Sequence, residues 1–346
     1  MITRKNLLLL AAILTYCVAS SAAEKIKYGD FTSWVIRNIK ESSVLGGNTK
    51  TLYEIGPNQT IEGAKAYTNL GGSPWATSNV YAKVMGVVKC SNAVYRDARG
   101  TGDYCAKLTT VLEHVKALGM INMDVLVSGS IFLGQIFEPI SSTKNPYGKM
   151  EMGVSFTKRP KYLQFDYRVS VPANGQVIYS SGFGSKKTLA GKDHAEVFII
   201  LQRRWEDAKG NIHAKRVGTG RERYGSTTSG WVNGHKIPVW YGDITKHAGY
   251  QSYMGLISKE NSYYARNSKG KLVPVIEEGW DNANATPTHM MVMASSGCGV
   301  AYTGMVGMTL WVDNFQLVYE KGSPNEALNY ATVLYGALIY GCQMRH

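Results

Sequence analysis

The stretch from Asp193 to Tyr224 combines basic, aromatic and acidic side chains with a turn sequence, Ala208-Lys209-Gly210-Asn211. An apolar run before the turn and a polar return segment after it predict a β-hairpin. Alternate residues of a regular strand share one face. On the return strand, that face would carry Lys215, Val217, Thr219, Arg221 and Arg223.

This predicted hairpin offers groups that could hold a sugar. Guanidinium groups bind carboxylates or hydroxyls by paired hydrogen bonds, and indole rings can stack on sugar rings. A solvated strand face whose charges pair with neighbouring acids explains the same pattern. The candidate ligand-binding residues are Arg203, Arg204, Trp205 and Arg221, with Trp240 and Trp280 near turn sequences elsewhere.

Acidic residues in the same region could also cleave a glycosidic bond, which requires two carboxyl groups roughly 5–9 Å apart. A polysaccharide lyase would instead combine a basic residue with a tyrosine or histidine base, such as Tyr224, Tyr241 or His213. Sequence spacing does not decide which of these side chains meet. The candidate catalytic acids are Asp193, Glu196, Glu206, Asp207 and Glu278.

Other familiar constellations are missing from the sequence. It has no glycine loop ending in Gly-Lys-Ser/Thr, no His-Glu-x-x-His and no Gly-x-Ser-x-Gly, and its seven histidines lack ligand spacing. These absences disfavour nucleotide enzymes, zinc hydrolases and serine esterases.

The elements that must position the candidates are predicted to be strands. Short β-type runs alternate with Gly, Pro, Asn and Ser clusters from residue 28 to residue 320, and the chain has 37 glycines and 22 tyrosines. This pattern predicts an all-β fold, a β-sandwich or jelly roll, in one elaborated domain. In the last strand, alternation places Val312 opposite Trp311 and Phe315, and we expect Trp34 and Trp311 to be in the core.

The two ends of the chain differ from the rest. Arg4 and Lys5, an uncharged run and small residues ending at Ala23 predict a signal peptide over residues 1–23, and hence secretion through the Sec route to the periplasm or cell surface. Cys17 follows Tyr16, which makes a lipid anchor the less favoured alternative. A capping box and apolar residues at helical spacing predict a short helical tail over residues 321–346.

Charge and cysteine content point to partners and redox state. The formal net charge of +13 favours acidic partners, and a secreted protein meets acidic glycans rather than nucleic acid. Solubility alone is the alternative reason for the charge. No apolar run is long enough for a membrane helix. Cys90 and Cys105 are the favoured disulfide pair, with free buried thiols as the alternative.

Six segments in order resemble a known family. They are 29–34 (GDFTSW), 73–80 (SPWATSNV), 128–134 (SGSIFLG), 153–160 (GVSFTKRP), 302–304 (YTG) and 310–314 (LWVDN). The chain is similar to the Putative carbohydrate metabolism domain (PCMD) family of secreted glycan-utilisation proteins of gut bacteria, over residues 24–320. The resemblance implies a jelly-roll sandwich like carbohydrate-binding modules, in which a structural calcium often ties the first strand to the last. Asp30 and Asp313 would be its ligands, with ordinary strand-end capping as the alternative.

Three functions follow from these observations. The leading one is a secreted protein that binds oligosaccharide or polysaccharide, with acidic glycans as a candidate class. The second is a glycoside hydrolase or polysaccharide lyase with paired acids in a cleft. The third is a non-catalytic structural surface protein with protein partners.

Overall fold

The computed structural model describes residues 23–117, 121–182 and 184–320. The predicted signal peptide, apart from Ala23, and the predicted helical tail lie outside the described residues. No helix within the described ranges is long and apolar enough to cross a membrane.

The described residues form strands joined by turns and loops, with single 3-10 turns at Ser43–Leu45, Ser252–Met254 and Lys259–Asn261. The strands are β1 (Ala23–Lys25), β2 (Trp34–Lys40), β3 (Thr49–Ile55), β4 (Gln59–Glu62), β5 (Trp75–Thr77), β6 (Val80–Val84), β7 (Val87–Ser91), β8 (Val94–Gly100), β9 (Asp103–Thr109), β10 (Val111–Ala117), β11 (Ile121–Val127), β12 (Ser130–Ile136), β13 (Met150–Met152), β14 (Val154–Ser155), β15 (Tyr162–Ser170), β16 (Val177–Tyr179), β17 (Lys187–Leu189), β18 (Ala195–Glu206), β19 (Ile212–Tyr224), β20 (Val232–Pro238), β21 (Trp240–Tyr241), β22 (Tyr264–Arg266), β23 (Leu272–Trp280), β24 (His289–Ser295), β25 (Thr303–Met305) and β26 (Thr309–Val318).

Two large sheets carry the fold. The smaller has the strand order β20-β15-β26-β9-β8, with β1 pairing with β26 so that Ala23 lies opposite Val318. The larger has the order β13-β12-β24-β18-β19-β23-β22, with β5, β14 and β21 paired at its sides. Smaller units are added to this pair: β3-β2-β4, β17-β16-β25, and the hairpins β6–β7 and β10–β11.

The main core contains residues from both large sheets. Alternate residues of β18 point into it, and these are Val197, Ile199 and Leu201. An aromatic cluster of Phe31, Trp34, Trp75, Phe165 and Phe315 fills one part. The predicted all-β sandwich is therefore confirmed, as is the core position of Trp34.

The last strand departs from the predicted alternation. Val312 and Phe315 both lie in the core, because the pairing register with β15 shifts after Asp313 and Asn314 adopts a φ of 56°. Such a bulge turns the following side chains to the other face. Trp311, expected in the core, is instead half-buried, and its indole N–H donates to Asp97 at 2.7 Å.

The predicted Cys90–Cys105 disulfide is wrong. Both residues, and Cys298, are free thiols. Cys90 packs in a separate apolar cluster with Ile39, Leu52 and Tyr81, whereas Cys105 lies on β9 with its Sγ 3.5 Å from the carbonyl oxygen of Asp97. The two thiols are thus buried among different neighbours.

Candidate ligand-binding site

The predicted hairpin is present as β18 and β19, but its face assignment was wrong. Leu201 lies opposite Gly218 whereas Gln202 lies opposite Arg216, so a bulge occurs at Val217. Val217 consequently points into the core, away from Arg221 and Arg223. The bulge also divides the hairpin into two chemically different ends. Glu196 at one end and Arg203 near the other are seven positions apart on β18, or about 23 Å at a rise of about 3.3 Å per residue.

At the turn end, the candidate ligand-binding residues do not converge on one site. Arg203, with a side chain 45% exposed, pairs with Asp281 at 2.7 Å. Arg204 is buried, and this burial lowers its pKa to about 10. Its Nε donates to the side chain of Gln202. Trp205 stacks on His213 with ring centroids 5.7 Å apart.

The acids at the turn end have structural partners. Glu206 accepts hydrogen bonds from the backbone N–H and the hydroxyl of Ser268, each at 2.7 Å. Asp207 accepts from Asn211 and from the N–H of Lys209 across the turn, and these bonds lower its pKa. Glu278 lies 2.7 Å from Nδ1 of His213. Glu206 and Asp207 therefore stabilise the hairpin turn and its contact with Ser268.

The two remaining tryptophan candidates have different ring partners. Trp240 stacks on His247 at 3.8 Å between ring centroids. Trp280 lies against the guanidinium of Arg216, 5.5 Å from the ring centroid. Arg216 is itself buried in an ion pair with Glu277 at 2.6 Å.

The other end of the hairpin brings two candidates together. Arg221 Nη2 donates to Glu196 Oε1 at 2.7 Å, and Arg223 Nε donates to Glu196 Oε2 at 2.6 Å. The Glu196 side chain is only 2% exposed. The Nε of Arg221 is buried and has no hydrogen-bond partner among the described residues. One carboxylate thus pairs with two cations, so the three side chains together keep one net positive charge.

Asp193, just before β18, binds backbone. Its carboxylate accepts hydrogen bonds from the N–H groups of His194, Cys298 and Met305 at 2.9–3.1 Å. Asp193 is buried, and it ties the segment from residue 298 to 305 to the start of β18. This role leaves little capacity for the proton transfer that was predicted for it.

A cavity of about 490 Å³ opens over this end of the larger sheet. Its floor is built from two neighbouring cross-strand rows. Ser130, Ser295 and Glu196 lie opposite one another on β12, β24 and β18, and Phe132 and Met293 form the next row on the same face. The rows are two residues, or about 7 Å, apart. The floor therefore changes from polar to apolar over about 7 Å along the strands.

The walls of the cavity come from the two small hairpins and two loops. Aliphatic side chains dominate, namely Val80, Ala82, Val84, Val87, Val115, Met123, Val125, Val127, Ile136, Ile140 and Met150. Lys144 and Lys149 are exposed cations at the rim that make no ion pair with the described residues.

Tyrosines form the rest of the site. Tyr147 and Tyr302 line both this cavity and an adjoining groove of about 630 Å³, and Tyr263 lines the cavity. Tyr147 and Tyr263 make an edge-to-face contact at 5.8 Å, and the Tyr302 hydroxyl donates to the carbonyl oxygen of Thr143 at 2.7 Å. Sequence reasoning missed these three residues. The available signal was that residues 128–134 and 302–304, which carry the family resemblance, contribute Ser130, Phe132 and Tyr302 to the lining.

The thiol of Cys298, which lines the cavity, has low reactivity. Burial raises the pKa of Cys298 to about 11, so the thiolate is scarce at neutral pH. Burial also raises the pKa of Tyr263, which keeps its phenol neutral. The carboxylates that line the cavity in the described residues are Glu196 and Glu113. Glu113 lies 3.3 Å from Lys89 and accepts the N–H of Asn92.

Asp30 and Asp313 do not fit a calcium site. Asp313 is paired with Arg99, and burial raises its pKa to about 7, whereas Asp30 accepts a hydrogen bond from Thr32. Calcium takes six to eight oxygen ligands. The described part of the chain contains no group of three or more His, Cys, Asp or Glu side chains that could hold a metal ion. The calcium stays a prediction without support from these residues.

Comparison with known proteins gives one family and two structural likenesses. The family model described as Putative carbohydrate metabolism domain matches residues 48–318. A crystal structure of a putative glycoside hydrolase from Bacteroides thetaiotaomicron is 17% identical, over 80% of this chain and 76% of that chain, with a TM-score of 0.40. One from Bacteroides vulgatus, also of a putative glycoside hydrolase, is 13% identical, over 86% and 95%, with a TM-score of 0.41. No curated protein matches the sequence.

Proposed function

Because the chain belongs to the Putative carbohydrate metabolism domain family, we propose that it binds carbohydrate, in the cavity above Glu196 and Arg221. Family membership agrees with the resemblance seen in the sequence. Specific ligand pockets place a few polar groups within a mostly apolar lining, as this cavity does.

The supporting observation is the polar row at the floor beside three tyrosines. Ser130, Ser295 and the Glu196–Arg221 pair supply hydroxyl and charged groups on rigid strands, which can hydrogen-bond to sugar hydroxyls. Tyrosine rings at Tyr147 and Tyr302 offer faces against which a sugar ring can pack.

The state of the acids favours binding over cleavage. Hydrolysis needs one carboxyl group that can donate a proton and a second that is free to act as base or nucleophile. Glu196 is neutralised by two arginines, and Glu113 contacts Lys89. Neither is available in the way that acid–base catalysis requires.

We propose an extracellular ligand, which the protein would reach by secretion if residues 1–23 act as a signal peptide. The exposed rim lysines Lys144 and Lys149 would attract acidic glycans, in line with the net charge of +13. Protein partners on the surface stay a prediction.

The test is a glycan panel of neutral and acidic polysaccharides, scored for retention and for released reducing or unsaturated ends. We expect retention without release. Tyr147→Ala should weaken retention about fivefold if one ring stack is lost, since stacking contributes about 1 kcal/mol. Tyr162→Ala, on the smaller sheet and outside the cavity, is the matched control and should retain glycan normally. Released product would show an enzyme instead, and silence on all glycans would favour the structural surface protein.

A further inference from the structure

The aliphatic walls of the cavity favour a ligand with an apolar part, which a simple sugar lacks. Sugar rings pack against aromatic faces and hydrogen-bond to polar groups, whereas Val84, Val115 and Val125 can offer neither. Apolar surface that stays in contact with water is unfavourable by roughly 25 cal/mol per Å². A ligand with an apolar part would remove that cost.

The floor of the cavity has the same two-part character. The row of Ser130, Ser295 and Glu196 is polar, and the next row holds Phe132 and Met293. Phe132 also belongs to an apolar cluster outside the main core, against which Ile136, Met150 and Met293 pack. An occupant that spans both rows would thus contact polar groups at one row and an apolar surface about 7 Å away along the strands.

We propose that the cavity binds an amphiphilic saccharide, that is, a sugar carrying an alkyl or acyl chain, with the chain against the aliphatic walls and the sugar at the polar row. This inference rests on the proposed carbohydrate-binding function and adds the chemical class of the ligand. The two hairpins β6–β7 and β10–β11 supply the walls for the chain. Tyr147 and Tyr302 border the adjoining groove, where the sugar would continue.

The probe is a series of β-D-glucopyranosides with methyl, butyl, hexyl and octyl chains, measured below their micellar concentrations by calorimetry on the purified protein. Each buried methylene contributes about 0.8 kcal/mol, which corresponds to about a fourfold gain in affinity per carbon. We therefore expect affinity to rise steeply from methyl to octyl. Octanol serves as the chain without a sugar and should bind much more weakly than the octyl glycoside.

The matched variants are Val125→Thr in the cavity and Val171→Thr outside it. Threonine keeps the shape of valine and replaces one methyl group with a hydroxyl, so both variants should fold and only the first should flatten the chain-length series. Ala82→Leu is a second cavity variant, which shortens the space available to the chain.

The outcomes separate this inference from the proposed function. Glycan retention with no gain across the chain series would overturn the amphiphile and leave carbohydrate binding in place. Equal binding of octanol and octyl glycoside would overturn the role of the sugar in this ligand and hence the inference, whereas the glycan panel still decides carbohydrate binding. A chain-length gain that Val125→Thr and Ala82→Leu leave unchanged would show that the chain binds elsewhere, and the inference would fail.

Discussion

Arg221 donates a hydrogen bond diagonally across the β18–β19 pair to Glu196, whose directly opposite residue is Arg223. Because Arg223 binds the other oxygen, the carboxylate faces two guanidinium groups in a buried position. This arrangement places the charge cluster at the floor of the cavity, which Glu196 and Arg221 line.

Glu196→Gln should destabilise the protein by about 3 kcal/mol, because it leaves two guanidinium groups without their carboxylate in a buried setting. Urea unfolding at pH 7, followed by tryptophan fluorescence, measures the change. The control is Asp281→Asn, which breaks the half-exposed pair with Arg203 and should cost less than about 1 kcal/mol. Equal losses in the two variants would contradict the importance given to burial.

Asp193→Ala should loosen the segment from residue 298 to 305, which carries Tyr302 of the cavity lining. Two backbone N–H groups, those of Cys298 and Met305, lose their acceptor, at a cost of about 2 kcal/mol. Hydrogen exchange should be faster at these two amides. In Asp207→Ala, faster exchange should instead be confined to the turn at residues 209–211. Unchanged exchange at Cys298 would remove Asp193 from this role.

Thiol labelling should separate the three described cysteines. Cys298 is half-buried with a pKa of about 11, whereas Cys90 and Cys105 are buried with pKa values of about 12. Because the thiolate is the reactive form, iodoacetamide should modify Cys298 slowly at pH 7, faster at pH 9, and the other two only after unfolding. Peptide mapping by mass spectrometry reads out each site. A Cys90–Cys105 disulfide in the mapped peptides would contradict the structure.

His289 should make the protein less stable in mild acid. Burial, aided by the nearby charge of Arg204, lowers its pKa to about 4, below the value of about 6.5 in the unfolded chain. The unfolded state then binds more protons between these two values, so stability is lost as the pH falls from about 6.5 to about 4. For a half-buried ring this amounts to about 1–2 kcal/mol after allowance for solvent screening.

The measurement is urea unfolding of the parent and of His289→Gln at pH 7 and pH 4.5. The variant should lose less stability on acidification than the parent does. His247→Gln alters an exposed ring and should follow the parent at both values. A parent and a His289→Gln variant with the same pH dependence would contradict this assignment.

Sequence patterns predicted strands and turns well, but they did not predict which side chains lie in contact. Turn chemistry at residues 208–211 was enough to find the hairpin, and two of its candidates, Glu196 and Arg221, do meet. The face assignment failed because one inserted residue at Val217 reverses the alternation, and sequence alternation does not show a bulge.

The cavity itself was beyond the reach of sequence patterns. The three tyrosines of the cavity lie on separate segments, and Tyr147 and Tyr302 are 155 positions apart in the sequence. Loops without a regular residue pattern bring them together with Tyr263. Asp193 was predicted as a catalytic acid from its type and neighbours. Its use as an acceptor for backbone N–H groups depends on Cys298 and Met305, which only tertiary structure places beside it.

The pairing of β1 with β26 has a mechanical consequence. Ala23 lies opposite Val318 in an antiparallel pair, so the chain enters and leaves this sheet at the same end. A force that pulls the two ends apart would load the hydrogen bonds one after another, as in opening a zipper, rather than all at once in shear. The first strand would then peel from the sheet at low force. The cavity would keep its shape, because Ser130, Ser295 and Glu196 belong to the other sheet and would carry none of the load.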